Sequence, residues 1–243
     1  MTYPLDWDTS TGEQEKRPAL EVGAVHEVLP YDGYRNPLTR SATTQRISMT
    51  IATPATRGQR QIFHFDGGSE MAVALEALLS PELHHLEVQL PPVAFRDFDG
   101  KRRKHSFDLR ITFRDNFRRA VFVRNGTSLK TWKTQNEIDA IFAATPKSFA
   151  DDKIVVNADD YTQAYRDNLL RIWYATETND AAVDAYVLKR ARKISFWFMR
   201  DLIAQCDIHP GEAFDAILRL IGQRVLGVNH HLTICHHSRI WLA

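Results

Sequence analysis

Two acidic side chains and one strand stand in an order that metal-assisted phosphate chemistry could use. Glu70 opens a predicted helix, SEMAVALEALLS, over 69–80. Asp108 lies between Phe107 and Leu109 on a predicted strand, after the basic turn Lys101-Arg102-Arg103-Lys104. A further strand, Arg119-Ala120-Val121-Phe122-Val123-Arg124, follows a tight turn. An acid on a helix, an acid on a strand and an acid-x-Lys pair on the next strand build a Mg²⁺ site, because Mg²⁺ takes one or two carboxylates plus waters and phosphate. The strand period of two turns positions x and x+2 to one face. A metal so held activates water and stabilises the leaving oxygen of a phosphodiester.

Each of these residues also has a plainer reading. An acid one step after a candidate N-cap, Ser69, is what the helix dipole favours in a first turn. Asp108 could be an exposed edge position, although Asp is poor in strands and seldom buried unpaired. Lys101 to Lys104 could be a soluble hairpin tip, or could engage phosphates, a contact that fixes position without reading sequence.

The elements that must position these residues follow from periodicity. Met71, Leu75, Leu78 and Leu79 recur at helical spacing and Pro81 follows the end. HLEVQL (85–90) predicts a short strand. VAFRDF (93–98) leads into Asp99-Gly100, a hairpin signal. HSFDLRITF (105–113) and FRRAVFVR (117–124) predict two more strands about the turn Arg114-Asp115-Asn116. A helix followed by a meander of three or four strands is an α+β pattern. The second half predicts helices over 159–174, 179–193, 195–206 and 212–225, then a short β-ribbon to the end. Helix, turn, helix and ribbon is the order of winged-helix modules.

Composition sets the outer bounds. The chain has 243 residues, 44% apolar and 25% charged, which is ordinary globular composition. No stretch approaches the ~20 apolar residues of a membrane span. The polar, acidic start predicts no signal peptide, and two cysteines, Cys206 and Cys235, cannot form a disulfide scaffold. A cytoplasmic protein without a membrane partner is expected. The net charge of +1 hides an uneven distribution. From Arg96 to Lys133 there are twelve Lys or Arg against four Asp, and an acidic stretch from Asp151 to Asp184 offsets part of that excess in the sum. Local positive potential gathers polyanions whatever the net charge.

The stretches FHFDGGSEMAVALEALL (63–79), LEVQLPP (86–92), DGKRRKHSFDLRITF (99–113) and RRAVFVR (118–124) resemble the N-terminal domain of TnsA, the endonuclease subunit of heteromeric transposases, within the PD-(D/E)xK nuclease superfamily. The resemblance covers roughly residues 35–130. It implies a restriction-endonuclease-like sheet, with Glu70 and Asp108 as Mg²⁺ ligands and Gln89 near a family Gln-Pro position. The last strand of the family carries Glu-x-Lys, and those positions hold Phe122 and Arg124 here. Phe122 binds no metal. Arg124 keeps a positive charge beside the phosphate, yet its guanidinium stays protonated and cannot be a general base. Glu87 or Asp115 could supply the missing carboxylate from a neighbouring position. The resemblance further implies double-stranded DNA, a DDE transposase and an ATP-dependent regulator as partners, and leaves a homo-oligomer open.

The expected organisation is an N-terminal arm (1–60), a nuclease-like core (61–155) and a helical, winged-helix-like end (156–243). Lys101, Arg102, Arg103, Lys104 and Arg119 are the expected DNA contacts. Two functions stand side by side: a metal-dependent DNA endonuclease, with Arg124 in place of the lysine, or a degenerate nuclease-fold module that holds DNA or protein without cutting. Near the end, His230, His231, Cys235, His236 and His237 lie close together, but their spacing matches no paired zinc signature and zinc is not expected. Leu232 and Ile234 are expected to turn inward.

Overall fold

A computed structural model describes residues 18–39 and 45–243. Ile47, Met49 and Ile51 alternate with polar residues, and Ile47–Ala52 (β1) pairs antiparallel with Arg60–Phe65 (β2). The segment expected to be an arm therefore ends in a hairpin that packs on the body, and the hairpin runs through the expected boundary at residue 60. Residues 1–17 and 40–44 of that expected arm lie outside the described residues.

The next helix is Gly68–Leu78 (α1), and its N-cap is Gly67 rather than the expected Ser69. Leu83–Val88 (β3) follows. Val93–Arg96 (β4) and Arg102–His105 (β5) form the predicted hairpin. Gly100 sits at φ +75° in its turn, a conformation that glycine adopts without a Cβ clash. Leu109–Phe113 (β6) and Arg118–Arg124 (β7) complete the meander. The strand expected over 105–113 is divided, because β5 ends at His105 and β6 begins only at Leu109.

Gly126–Leu129 (α2) and Trp132–Ala144 (α3) then carry the chain to Asp152–Asn157 (β8), which lies parallel to β7. The central sheet has the order β3-β6-β7-β8 and is mixed: two antiparallel pairings and one parallel one. This is an α+β fold with helices on both sides of a mixed sheet.

The pleat sends alternate residues of β7 to different cores. Val121 and Val123 meet Leu75 of α1 and Phe63 and Phe65 of β2. Ala120 and Phe122 meet Phe95, Phe107 and the α3 residues Ile138 and Ile141. Each large side chain buried this way contributes roughly 1.5–3 kcal/mol relative to exposure.

A third core belongs to the C-terminal half. Gln163–Glu177 (α4), Ala181–Ala191 (α5), Met199–Ile203 (α6) and Pro210–Gly222 (α7) surround it, closed by a ribbon of Leu226–Val228 (β9) and Ile240–Leu242 (β10). Helix α4 joins the two halves. Its Leu169 and Trp173 belong to the sheet core, and its Ile172 and Ala175 to the helical one. At Gly222 a Cβ would stand 2.8 Å from the Ile172 methyl, so this glycine lets α7 approach α4. The His/Cys-rich segment is the loop between β9 and β10 rather than ribbon. Ile234 is buried there as expected, whereas Leu232 is 65% exposed. Among the described residues no helix is long and apolar enough to cross a membrane.

Candidate functional site

Glu70 occupies the first turn of α1, with one residue, Ser69, between it and Gly67-Gly68. From there its Oε2 accepts hydrogen bonds from the Asp66 backbone N–H (2.9 Å) and from the Gln89 side-chain amide (3.0 Å). Asp108 lies just before β6, where its N–H bonds the Val121 carbonyl across to β7. Its Oδ2 accepts the Val123 N–H at 2.7 Å. Helix start and strand start thus bring the two carboxyls within hydrogen-bond reach of each other. Burial first, and the neighbouring Asp108 charge second, push the Glu70 carboxyl up to about 8. Burial also raises Asp108, against the pull of the Val123 N–H and of Arg124. Burial therefore disfavours ionising either carboxyl, and a charge on Asp108 makes ionising Glu70 harder still.

Gln89 is the hub beneath them. It is 1% exposed and holds φ +50°, an uncommon backbone for a residue with a side chain. Its Oε1 accepts two bonds from Arg35, at 2.9 and 2.6 Å, while its N–H bonds the Asp108 carbonyl at 2.9 Å. Arg35 continues to Asp66 at 2.9 Å, and Arg46 grips the same carboxylate. Asp66, Glu70, Gln89 and Asp108 therefore form one connected polar network, with Arg35 and Arg46 closing its outer side.

The network borders a cleft of about 850 Å³, lined among others by Arg46, Glu70, Arg124, Asn125 and Arg166. Arg124 is exposed at the end of β7 and stacks on the Phe122 ring, 4.2 Å from its centroid. Phe122 itself is buried, with His105 edge-on at 4.1 Å. Burial, and secondarily the Arg124 charge, push the His105 imidazole down to about 4, so it is neutral at ordinary pH.

The structure thus brings together Glu70, Asp108 and Arg124, and leaves Glu87 and Asp115 out. Glu87 is held by a two-bond fork from Arg110, at 2.7 and 2.6 Å, and Asp115 caps its own turn through the Phe117 N–H. The additional carboxylate in the network is Asp66. Sequence reasoning did not single out Asp66, Arg35 or Arg46. Asp66 had a local signal, four residues before Glu70 and directly before a Gly-Gly helix start. The two arginines had none, since their contact with the site depends on how the N-terminal segment packs.

The expected DNA contacts divide. Arg103 is tied to Asp97 (2.6 Å) and Asp99 (3.1 Å), and Lys101 to Asp99 (3.4 Å). Arg119 pairs with Asp152 at 2.8 Å and lies five residues from Arg124, at the opposite end of β7. Arg102 and Lys104 are exposed and make no ion pair among the described residues.

The donor set fits a single Mg²⁺ held by two carboxylates with water and phosphate completing the sphere. Among the described residues no three His, Cys, Asp or Glu side chains converge as a metal cluster, so a richer all-protein cage is not formed. In the C-terminal loop His230 lies against Tyr165, His236 against Phe214, and His237 against Arg200. No family model matches this chain, and no curated protein matches it.

Proposed function

We propose that the chain is a double-stranded-DNA-binding protein with a TnsA-like, PD-(D/E)xK nuclease architecture, which holds Mg²⁺ and a DNA phosphate beside Glu70 and Asp108. The observation that carries this reading is the pair of buried carboxyls, Glu70 and Asp108, fixed by Asp66, Gln89 and Val123 donors beside a cleft whose charges are Arg46, Arg124 and Arg166 together with Asp66 and Asp167. Paired acids demand a cation, and flanking arginines favour a phosphate. Glu70 and Asp108 would hold the metal, with Gln89 and the Val123 N–H fixing the orientation of each carboxyl. Bound there, Mg²⁺ would activate water and stabilise the leaving oxygen of a phosphodiester. Arg124 would contact the phosphate and keep it near the acids.

The resemblance to TnsA supports a role in DNA transposition, with a DDE transposase and an ATP-dependent regulator as partners. The order α6, turn, α7, ribbon supports a winged-helix-like C-terminal unit. A DNA-reading role for α7 is poorly supported, because the acids Glu212 and Asp215 are exposed on it and Arg219 is buried against Asp184 at 2.7 Å. Protein contact suits that unit better.

A second reading has its own observation. Phe122 offers no carboxylate, and Arg124 cannot take a proton from water. On that reading the body holds DNA without cutting it. Incubating supercoiled DNA with the protein and Mg²⁺ or Mn²⁺, beside an Asp108→Ala variant, tests both. Nicking that disappears in Asp108→Ala supports the nuclease. Salt-dependent binding without nicking supports the holding module. Nicking that persists in Asp108→Ala places the chemistry elsewhere.

A further inference from the structure

The hairpin β4–β5 stands outside the central sheet as a separate two-stranded ribbon. Its register pairs Ala94 with Lys104, Phe95 with Arg103 and Arg96 with Arg102. The pleat therefore sorts its residues onto two faces. One face carries Val93, Phe95 and His105, all buried, and Arg103, whose charge is neutralised by Asp97 and Asp99. The other carries Ala94, Arg96, Arg102 and Lys104, all exposed. None of these three cations makes an ion pair among the described residues, and Arg96 donates only to the Gly100 carbonyl of its own turn.

The ribbon is also held rigidly. Phe95 packs with Ile138 and Ile141 of α3 at its root. At its tip Phe98 meets Trp132 of α3 edge-on, with ring centroids 5.3 Å apart. His105, at the end of β5, touches Phe122, on which Arg124 stacks, so the ribbon springs from the margin of the acid pair.

We infer that this ribbon enters the major groove of duplex DNA by its Arg96/Arg102/Lys104 face, seating the duplex with a phosphate strand toward Glu70 and Asp108. This rests on the DNA-binding reading above and adds the element, the face and the groove. Four residues of strand span about 13 Å and two strands lie about 4.8 Å apart. A B-form major groove about 12 Å wide admits such a ribbon, and a minor groove about 6 Å wide does not. The side chain between the basic positions, Ala94, is small enough to leave the backbone close to the base edges. The charges that the sequence offers at the tip, Lys101 and Arg103, instead brace the turn through Asp97 and Asp99.

The test is duplex binding by the full chain, read by fluorescence anisotropy across a salt series. Arg96→Ala/Arg102→Ala/Lys104→Ala should weaken affinity by about tenfold or more at 0.1 M salt and flatten the log–log salt slope by about 2 to 3, near 0.9 per lost phosphate contact. All three side chains are exposed, and an unchanged melting curve verifies the fold. Arg102→Ala alone should cost more affinity than Lys101→Ala, although each removes one charge. A duplex whose major groove is filled by glucosylated hydroxymethylcytosine should bind several-fold more weakly, and netropsin in the minor groove should not displace the protein. Double-stranded RNA, whose deep major groove is too narrow for side chains to read, should compete poorly.

Unchanged duplex binding by the triple variant overturns the ribbon while leaving the DNA-binding reading intact. Displacement by netropsin, or equal affinity for RNA, overturns the groove assignment. Failure of the unmodified chain to bind any duplex overturns the DNA-binding reading itself.

Discussion

The carboxyl of Glu70, on the first turn of α1, lies within hydrogen-bond reach of the carboxyl of Asp108, just ahead of β6. Burial disfavours a charge on either carboxyl, and the surrounding arginines offset that only in part. Arg35 and Arg46 both contact Asp66, and Arg124 stacks on Phe122. A divalent cation beside the pair would relieve the penalty of ionising it.

This relationship fixes a pH dependence. The Glu70 carboxyl moves from its ordinary 4.5 to about 8 on folding. The folded chain binds the proton more tightly than the unfolded chain, so the stability from this group is full below about pH 4.5 and is lost as pH rises through about 8. Mg²⁺ binds the deprotonated pair and restores stability on the alkaline side. Thermal unfolding at pH 5 and pH 8, with and without 10 mM Mg²⁺ (on the order of working concentrations that saturate weak sites), should show a rise in midpoint at pH 8 and almost none at pH 5. Asp108→Asn should abolish the Mg²⁺ response and reduce the pH slope. A Mg²⁺ effect equal at both pH values would contradict metal binding at this pair.

Gln89 should behave as a structural keystone rather than a surface amide. Gln89→Ala leaves Glu70 with the Asp66 N–H alone and Arg35 without its two bonds to the amide, and keeps a side chain at φ +50°. Each lost buried partner costs about 1–3 kcal/mol. Urea unfolding should show a loss of about 2–4 kcal/mol, with the Mg²⁺ response weakened at the same time because one of the two donors that orient Glu70 is gone. Wild-type stability in Gln89→Ala would remove the hub from the account.

Much of the sheet half was legible because its signals are local. Asp99-Gly100 announced the β4–β5 hairpin, and the spacing of Met71, Leu75 and Leu78 announced α1. The elements that escaped have weak local patterns. All six residues of β8 are only partly buried, and its partner β7 is reached through a crossover of two helices. Helix α3 buries just Ile138 and Ile141. The candidate site divides in the same way. Glu70 and Asp108 stood out by residue type and position. Asp66 lies only four residues from Glu70, but Arg35 and Arg46 join the site through contacts across 20 to 54 residues of chain, which spacing does not encode. Pairing between neighbouring acids and bases also decided which cations of the hairpin stay free, and that depends on the strand register.

A carboxylate cannot be placed at position 122 by a simple substitution. Phe122 is 3% exposed and faces Phe95, Phe107 and α3, so Phe122→Glu would place a carboxylate in an aromatic core and delete its packing. Truncating a buried Phe costs about 3–5 kcal/mol, and the buried acid adds to it. Phe122→Glu/Arg124→Lys should therefore be destabilised by at least about 3 kcal/mol in urea and gain no nicking activity. A stable double variant that nicks DNA would show that this position can turn toward the cleft.

In the helical half, Arg219 and Asp184 form an ion pair at 2.7 Å, both nearly inaccessible, and Arg219 also donates to the Thr178 carbonyl at 3.1 Å. Removing one charge strands the other. Arg219→Met should cost about 3–5 kcal/mol, whereas Arg219→Met/Asp184→Leu should recover much of that loss, because a buried pair replaced by apolar side chains of similar size is often nearly neutral. The α4–α7 core is where the damage would register, so the single variant should lose its C-terminal protection in hydrogen exchange before the sheet does. If Arg219→Met melts with the unmodified chain, the pair is solvated in solution and does not hold α5 against α7.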